Sequence, residues 1–204
     1  KVMERLPGAR HWLLAMCHPD GEISHFNDAA FDVAPSLEEL RGYCNRFFPA
    51  HIAPQISALE HLENSGYLRM SREKATLICD LAEVGPSYLP GHAHADTLSF
   101  ELSLFGQRVI VNGGTSRYGN SPERLAERGT AAHSTVQIDG ADSSEVWGGF
   151  RVARRARPVG LRWGEEVDGC WLECAHDGYQ RLPGRPRHFR RWRLGGDGLN
   201  IHDR

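Results

Sequence analysis

From about Gly66 onward the hydrophobic period is two. The segments YLRMSR, ATLICDLA, TLSFELSLF, QRVIVNGG, STVQID, FRVARRARPVGLRW, CWLECAHDG, FRRWRLGG and LNIHD read as strands. Gly, Pro and Asp-Gly punctuation separates them. In TLSFELSLF, Leu98, Phe100, Leu102 and Leu104 fall on one side, and Thr97, Ser99, Glu101 and Ser103 on the other. SLFGQRVIV reads as a hairpin turning through Phe105-Gly106-Gln107. Many short strands with tight turns and no intervening helices predict a mainly β fold, an antiparallel sandwich or barrel. No internal repeat is visible.

The first 62 residues differ. Leu6, Trp12, Leu13 and Met16 recur at three- and four-residue spacings, which predicts a helix over Val2 to Met16, stopped by Pro19-Asp20-Gly21. The loop GEISHFNDAAFDVAP follows. Ser36 then precedes LEELRGYCNRF with Glu39 three residues on, a capping-box pattern. A third, weaker helix is read over Pro54 to Leu62. Three short helices cannot bury a core alone, so they pack on the rest of the chain or on sequence outside it. The division is a helical segment over 1–62 and a β domain over 63–204. The chain starts at Lys1 with no leader pattern and ends on LNIHDR, a strand still in progress; it reads as a piece cut at both ends.

No apolar run approaches the roughly 20 residues that span a bilayer. Net charge is −2, which does not point to a nucleic-acid binder. The basic residues are nearly all Arg, with Lys only at Lys1 and Lys74. Cys17, Cys44, Cys79, Cys170 and Cys174 are odd in number and form no CxxC pair, so they read as buried small hydrophobes rather than a disulfide framework.

Three elements carry chemistry. In Pro90-Gly91-His92-Ala93-His94-Ala95-Asp96, a strand would put His92, His94 and Asp96 on one face about 6–7 Å apart. Such a face holds a metal or a pair of proton-handling groups; the plainer reading is a surface HxH at a strand start. Val111-Asn112-Gly113-Gly114-Thr115-Ser116-Arg117-Tyr118 places a double glycine after a hydrophobic strand, which suits a close backbone approach or an ordinary turn. His133 enters a further strand in RGTAAHSTV. The stretches FRVARRARP and RPRHFRRWR supply fork-shaped donors for carboxylate or sulfate, or simply an Arg-rich solvated face. The loop His25-Phe26-Asn27-Asp28 is placed to line a cleft or to act as an ordinary cap. Tyr118 and Tyr179 are candidate sugar contacts or packing residues.

In this order, GHAHADTLSF, VIVNGGTSRYG, RGTAAHSTVQIDG and AHDGYQRL…RPRHFRRWRL resemble the heparinase II/III family over roughly residues 60–204. The resemblance implies a C-terminal β-sandwich of a polysaccharide lyase, with 1–62 as the tail of an α/α toroid and the substrate cleft between the two. It implies a catalytic place for His92. It makes His94 and His133 two ligands of a structural zinc ion, with Asn112 where the family usually has Asp; a carboxamide is the weaker donor. Asp96 is read as a second acceptor orienting His94. His25, Asn27, Arg117 and Tyr118 are the candidate substrate contacts.

The implied reaction is β-elimination on an acidic, uronate-containing polysaccharide such as a glycosaminoglycan. A catalytic Tyr comes from the toroid upstream of this chain, so the chain alone is expected to be inactive. The implied location is the bacterial periplasm or exterior. Two other functions suit the pattern: a non-catalytic carbohydrate-binding or scaffold module in exopolysaccharide assembly, and a cupin-like metalloenzyme.

Overall fold

The computed structural model describes residues 2–47 and 55–204. Helix α1 (Val2–Met16) forms as its spacing predicts, and α2 (Leu37–Phe47) starts at the capping box. Ser36 N–H donates to Glu39 Oε2 at 2.8 Å, and Glu39 N–H donates to Ser36 Oγ at 3.3 Å.

Strands β1 (Leu59–Leu62), β2 (Tyr67–Arg72), β3 (Ala75–Asp80), β4 (Phe100–Leu104) and β5 (Gln107–Ile110) form one antiparallel sheet in chain order. Helix α3 (Pro122–Arg128) and a 3-10 turn, Thr130–Ala132, follow. A two-strand hairpin, β6 (Val146–Trp147) and β7 (Arg151–Val152), comes next. Strands β8 (Pro158–Glu166), β9 (Gly169–His176), β10 (His188–Gly195) and β11 (Gly198–Asp203) form the second antiparallel sheet.

The inner faces of the two sheets meet in one core. Leu68, Met70, Leu77 and Leu102 from the first sheet pack with Leu172, Cys174, Trp192 and Leu194 from the second. Each such side chain, removed from water, contributes about 1.5–3 kcal/mol before entropy is set against it. The first sheet is also covered behind: Ala15 and Met16 of α1 pack with Phe26, Leu62, Tyr67 and Ile78. The polar row of β4 is therefore buried rather than solvated. The His18 ring bridges it, with Nε2 2.8 Å from Glu101 Oε2 and Nδ1 2.7 Å from Ser103 Oγ.

Three sequence expectations are corrected, and one element was not anticipated. The helix read over Pro54–Leu62 is not formed: position 54 lies outside the described residues, and Leu59–Leu62 is β1, paired antiparallel with Tyr67–Met70 of β2 through a turn in which Gly66 N–H donates to the Leu62 carbonyl. Sheet hydrogen bonds outweigh a short segment's weak helical period. STVQID is not a strand; Ser134 Oγ and Thr135 Oγ1 instead donate to the carbonyls of Phe100 and Thr97, and only Ile138 makes an isolated bridge, to Ala141. Residues 90–98 form turns, not a strand, with Ala93 N–H on the Pro90 carbonyl and Leu98 at φ 65. Helix α3 was not read at all, although Ser121-Pro122 marks its start: the Ser121 side chain accepts from Arg124 N–H, and Pro122 takes the first turn.

All five cysteines are free. Cys17, Cys79, Cys170 and Cys174 are buried, and burial pushes the Cys174 thiol up to about 11.

Candidate active site

The turn at 90–96 brings His92 and His94 onto one carboxylate, that of Asp28. His92 Nδ1 lies 2.7 Å from Asp28 Oδ2, and His94 Nε2 lies 2.8 Å from Asp28 Oδ1. Arg124, fully buried, grips both carboxylate oxygens with its two terminal nitrogens, Nη2 at 2.7 Å from Oδ2. Burial works against the charge on Asp28. Hydrogen bonds from His94, Arg124 and His92 outweigh it and hold the carboxyl at about 2. The role given to Asp96 belongs instead to Asp28: Asp96 Oδ2 is buried without a partner. Asp96 lies near Asp80, whose carboxyl is pushed up by burial first and by the Asp96 charge second.

The double glycine explains how Asp28 reaches this point. A Cβ on Gly114 would sit 2.0 Å from the Ala29 carbonyl oxygen, so only glycine lets the 112–115 segment press on the Asp28 loop. Thr115 N–H then donates to that carbonyl at 3.1 Å. Arg124 continues outward, with Nε donating to the Gly149 carbonyl at 3.1 Å; Arg128 donates to the Gly148 carbonyl at 2.9 Å. The tip of the β6–β7 hairpin is thus clamped from below by two buried guanidiniums.

That hairpin places Phe150 beside Tyr118. The two rings lie 5.6 Å apart, and His92 lies 5.8 Å from Tyr118 and 6.3 Å from Phe150. The Arg124 guanidinium stands 5.4 Å from the Tyr118 ring and 5.7 Å from Phe150. Tyr118 is 56% exposed and Phe150 45% exposed. The His92 side chain is 59% exposed although its Nδ1 is held.

His92 and Asn27 line a groove of about 790 Å³ with Tyr67, Gly66, Pro86 and Leu89. Asn27 joins the groove to the histidine turn: its Nδ2 donates to Tyr67 Oη at 3.1 Å and its Oδ1 accepts from His94 N–H at 3.3 Å. Tyr67 is buried, and desolvation, with Asp80 and Asp96 adding, pushes its phenol well above the ordinary value. It forms a neutral wall of the groove. Arg117 is exposed and meets exposed Glu123 at 3.6 Å. His25 is not among the groove-lining residues: its N–H donates to Glu101 and its ring packs on Phe31.

His94, Asn112 and His133 do converge from distant parts of the sequence. The two imidazole centroids are 5.2 Å apart, and His133 Nδ1 is 3.0 Å from Asn112 Oδ1. His94 Nδ1 and His133 Nε2 are buried without partners, as two zinc-facing nitrogens would be. The third donor is the obstacle. Asn112 is neutral and its oxygen faces the His133 N–H, and among the described residues no group of three or more His, Cys, Asp or Glu is arranged to hold a metal. The set does not fit a centre of two imidazoles and one carboxylate.

The three arginines of strand β10 are engaged within the protein. Arg190, buried, bonds Asp203 and the carbonyls of Leu98 and Ser134; Arg191 and Arg193 meet Glu173, Glu166 and Asp168. Tyr179 is fully buried, donating to the Val136 carbonyl at 2.6 Å. Asp28, Arg124 and Phe150 were missed as site residues. Asp28 stood in the loop already noted, whereas Arg124 and Phe150 carried no sequence signal.

A family model described as heparinase II/III-like, C-terminal, matches residues 54–204. The fold is similar to that of the heparan sulfate lyase HepC from Pedobacter heparinus, with TM-score 0.69 and 19% identity over 93% of this chain and 30% of that one. It is also similar to a solved heparinase III, with TM-score 0.74 and 15% identity over 98% of this chain and 34% of that one. At these identities the likeness is one of fold, and the chain spans about a third of the length of either structure. No curated protein matches by sequence.

Proposed function

The chain belongs to the heparinase II/III-like family, and from that premise we propose that it forms the C-terminal wall of a polysaccharide lyase acting on uronate-containing chains. The observation that carries this is His92: an exposed imidazole, held at one nitrogen, at the rim of a groove and beside two exposed aromatic rings. In β-elimination a base takes the C5 proton of the uronate, the C4–C5 double bond forms, and the C4–O4 bond breaks as O4 gains a proton. The substrate carboxylate must be countered so that the enolate charge is stabilised. His92 supplies proton transfer at the groove rim. Tyr118 and Phe150 offer apolar faces for a pyranose ring. Arg117 supplies the cation, because an ion pair between two exposed side chains is weak and readily exchanged for a substrate carboxylate.

The remaining proton-transfer group comes from an upstream helical domain of the same protein, which closes the other side of the groove. The partner is an acidic polysaccharide; the solved relatives make heparan sulfate the first to try. The family resemblance also supports a periplasmic or extracellular bacterial location. A titration of the labelled chain with heparan sulfate and alginate oligosaccharides tests the assignment. Resonances of His92, Asn27 and Tyr118 should shift, and those of a neutral oligosaccharide titration should not. Binding elsewhere, or equal binding of the neutral sugar, would refute it.

A further inference from the structure

Three side chains from separate parts of the chain meet on Asp28. Oδ1 accepts from His94 Nε2 and Arg124 Nη1, and Oδ2 accepts from His92 Nδ1 and Arg124 Nη2. The Asp28 side chain is 6% exposed, and that of Arg124 is 0% exposed. An ionised carboxylate is an acceptor only, with about four lone-pair directions. All four are filled here, so each imidazole must turn an N–H toward it. For His92 this leaves Nε2 as the nitrogen without a proton, on a groove-lining side chain that is 59% exposed.

We propose that Asp28 is the positioning residue of this site: it fixes His92 as the Nδ1–H tautomer with the Nε2 lone pair offered to the groove. Neutral His92 is therefore a proton acceptor and not a donor. Arg124 extends the same device. By holding Asp28 with its terminal nitrogens and the Gly149 carbonyl with Nε, it ties the His92 ring to the hairpin that carries Phe150, so that base and aromatic face keep one spacing. The tautomer stands on the hydrogen bonds alone; its use in elimination rests on the lyase reading.

A plain Arg124–Asp28 ion pair would support the fold equally well but would leave the His92 tautomer unbiased. Long-range proton–nitrogen correlation on the 15N-labelled chain, with His92 neutral, separates the two. The expected spectrum shows a protonated Nδ1 and a bare Nε2. Asp28→Asn should lose that preference, because a carboxamide brings its own N–H₂ against the imidazole donors. Arg124→Lys, which keeps the carboxylate, should retain it. If Asp28→Asn does not fold, the unsubstituted chain and Arg124→Lys still decide.

An Nε2–H tautomer in the unsubstituted chain, or an unchanged one in folded Asp28→Asn, overturns the proposal. In the longer protein Asp28→Asn should lower kcat about a hundredfold with KM little changed; full kcat there overturns the positioning role. No lyase activity in the longer protein, with the tautomer as expected, would remove the proposed function and leave the tautomer assignment standing.

Discussion

Arg124 Nη2 donates to Asp28 Oδ2 at 2.7 Å where neither side chain has appreciable contact with water. Removing one partner of such a pair strands a buried charge, which typically costs about 3–5 kcal/mol. Arg124→Ala should therefore lower stability by about that much in urea denaturation. The double variant Arg124→Gln with Asp28→Asn should lose less than the two single variants summed. Additive losses would mean that the pair is not coupled.

Phe150 and Tyr118 turn exposed faces outward beside His92. Phe150→Ala should weaken oligosaccharide binding about tenfold, the scale of one aromatic contact, whereas Phe150→Trp should keep it. Calorimetric titration reads the difference. Unchanged affinity in Phe150→Ala would remove the ring from the sugar site.

Asn112 Oδ1 lies 3.0 Å from His133 Nδ1, while His133 Nε2 and His94 Nδ1 are buried without partners. Asn112→Asp completes a carboxylate and two imidazoles, so zinc should raise the melting temperature of the variant. At a hundredfold excess over Kd the gain is about 2.7 kcal/mol. The unsubstituted chain should gain much less. Equal gains in both would show that the carboxamide does not set metal affinity, and no gain in either would exclude the set as a zinc site.

A pH dependence follows from a second histidine pair. His176 Nδ1 accepts from Gly178 N–H at 3.1 Å, its Nε2 lies 3.2 Å from His188 Nδ1, and His188 Nε2 lies 2.7 Å from Asp203 Oδ1. Burial first, then His188 and the nearby Arg190 and Arg181, hold His176 down at about 3, against an ordinary value of 6.5. Below 6.5 the unfolded chain binds a proton that the folded chain refuses, so stability falls as pH drops and levels off near 3. From pH 7 to pH 5 this one group costs about 2 kcal/mol. His176→Gln should remove that part of the slope in denaturation series at the two pH values. An unchanged slope would place the acid sensitivity elsewhere.

The sandwich was legible because short apolar-rich segments between turn residues mark strands, and in FRRWRLGG the alternation reports burial directly, with Arg190, Trp192 and Leu194 buried and Phe189, Arg191 and Arg193 less so. STVQID misled because its hydroxyls bond the backbone of a neighbouring segment, which period alone does not reveal. His92, His94, Asn112 and His133 were legible as an ordered set, but the supposed strand geometry of HxH was not, since Pro90 starts a turn. Asp28 and Arg124 were not legible as partners: they are 96 residues apart in sequence, and nothing local marks a buried ion pair.

Lyase function with a wall supplied from upstream makes a sharp demand on turnover. The measurement is ultraviolet absorbance of unsaturated uronate, with heparan sulfate and alginate as substrates. It compares this chain, the longer protein with its upstream helical domain, and that longer protein carrying His92→Ala. The expected result is no turnover by the chain, turnover by the longer protein, and loss of about a hundredfold or more in His92→Ala. Turnover by the chain alone would show that the sandwich holds a complete active site, and full activity in His92→Ala would contradict the central role given to His92.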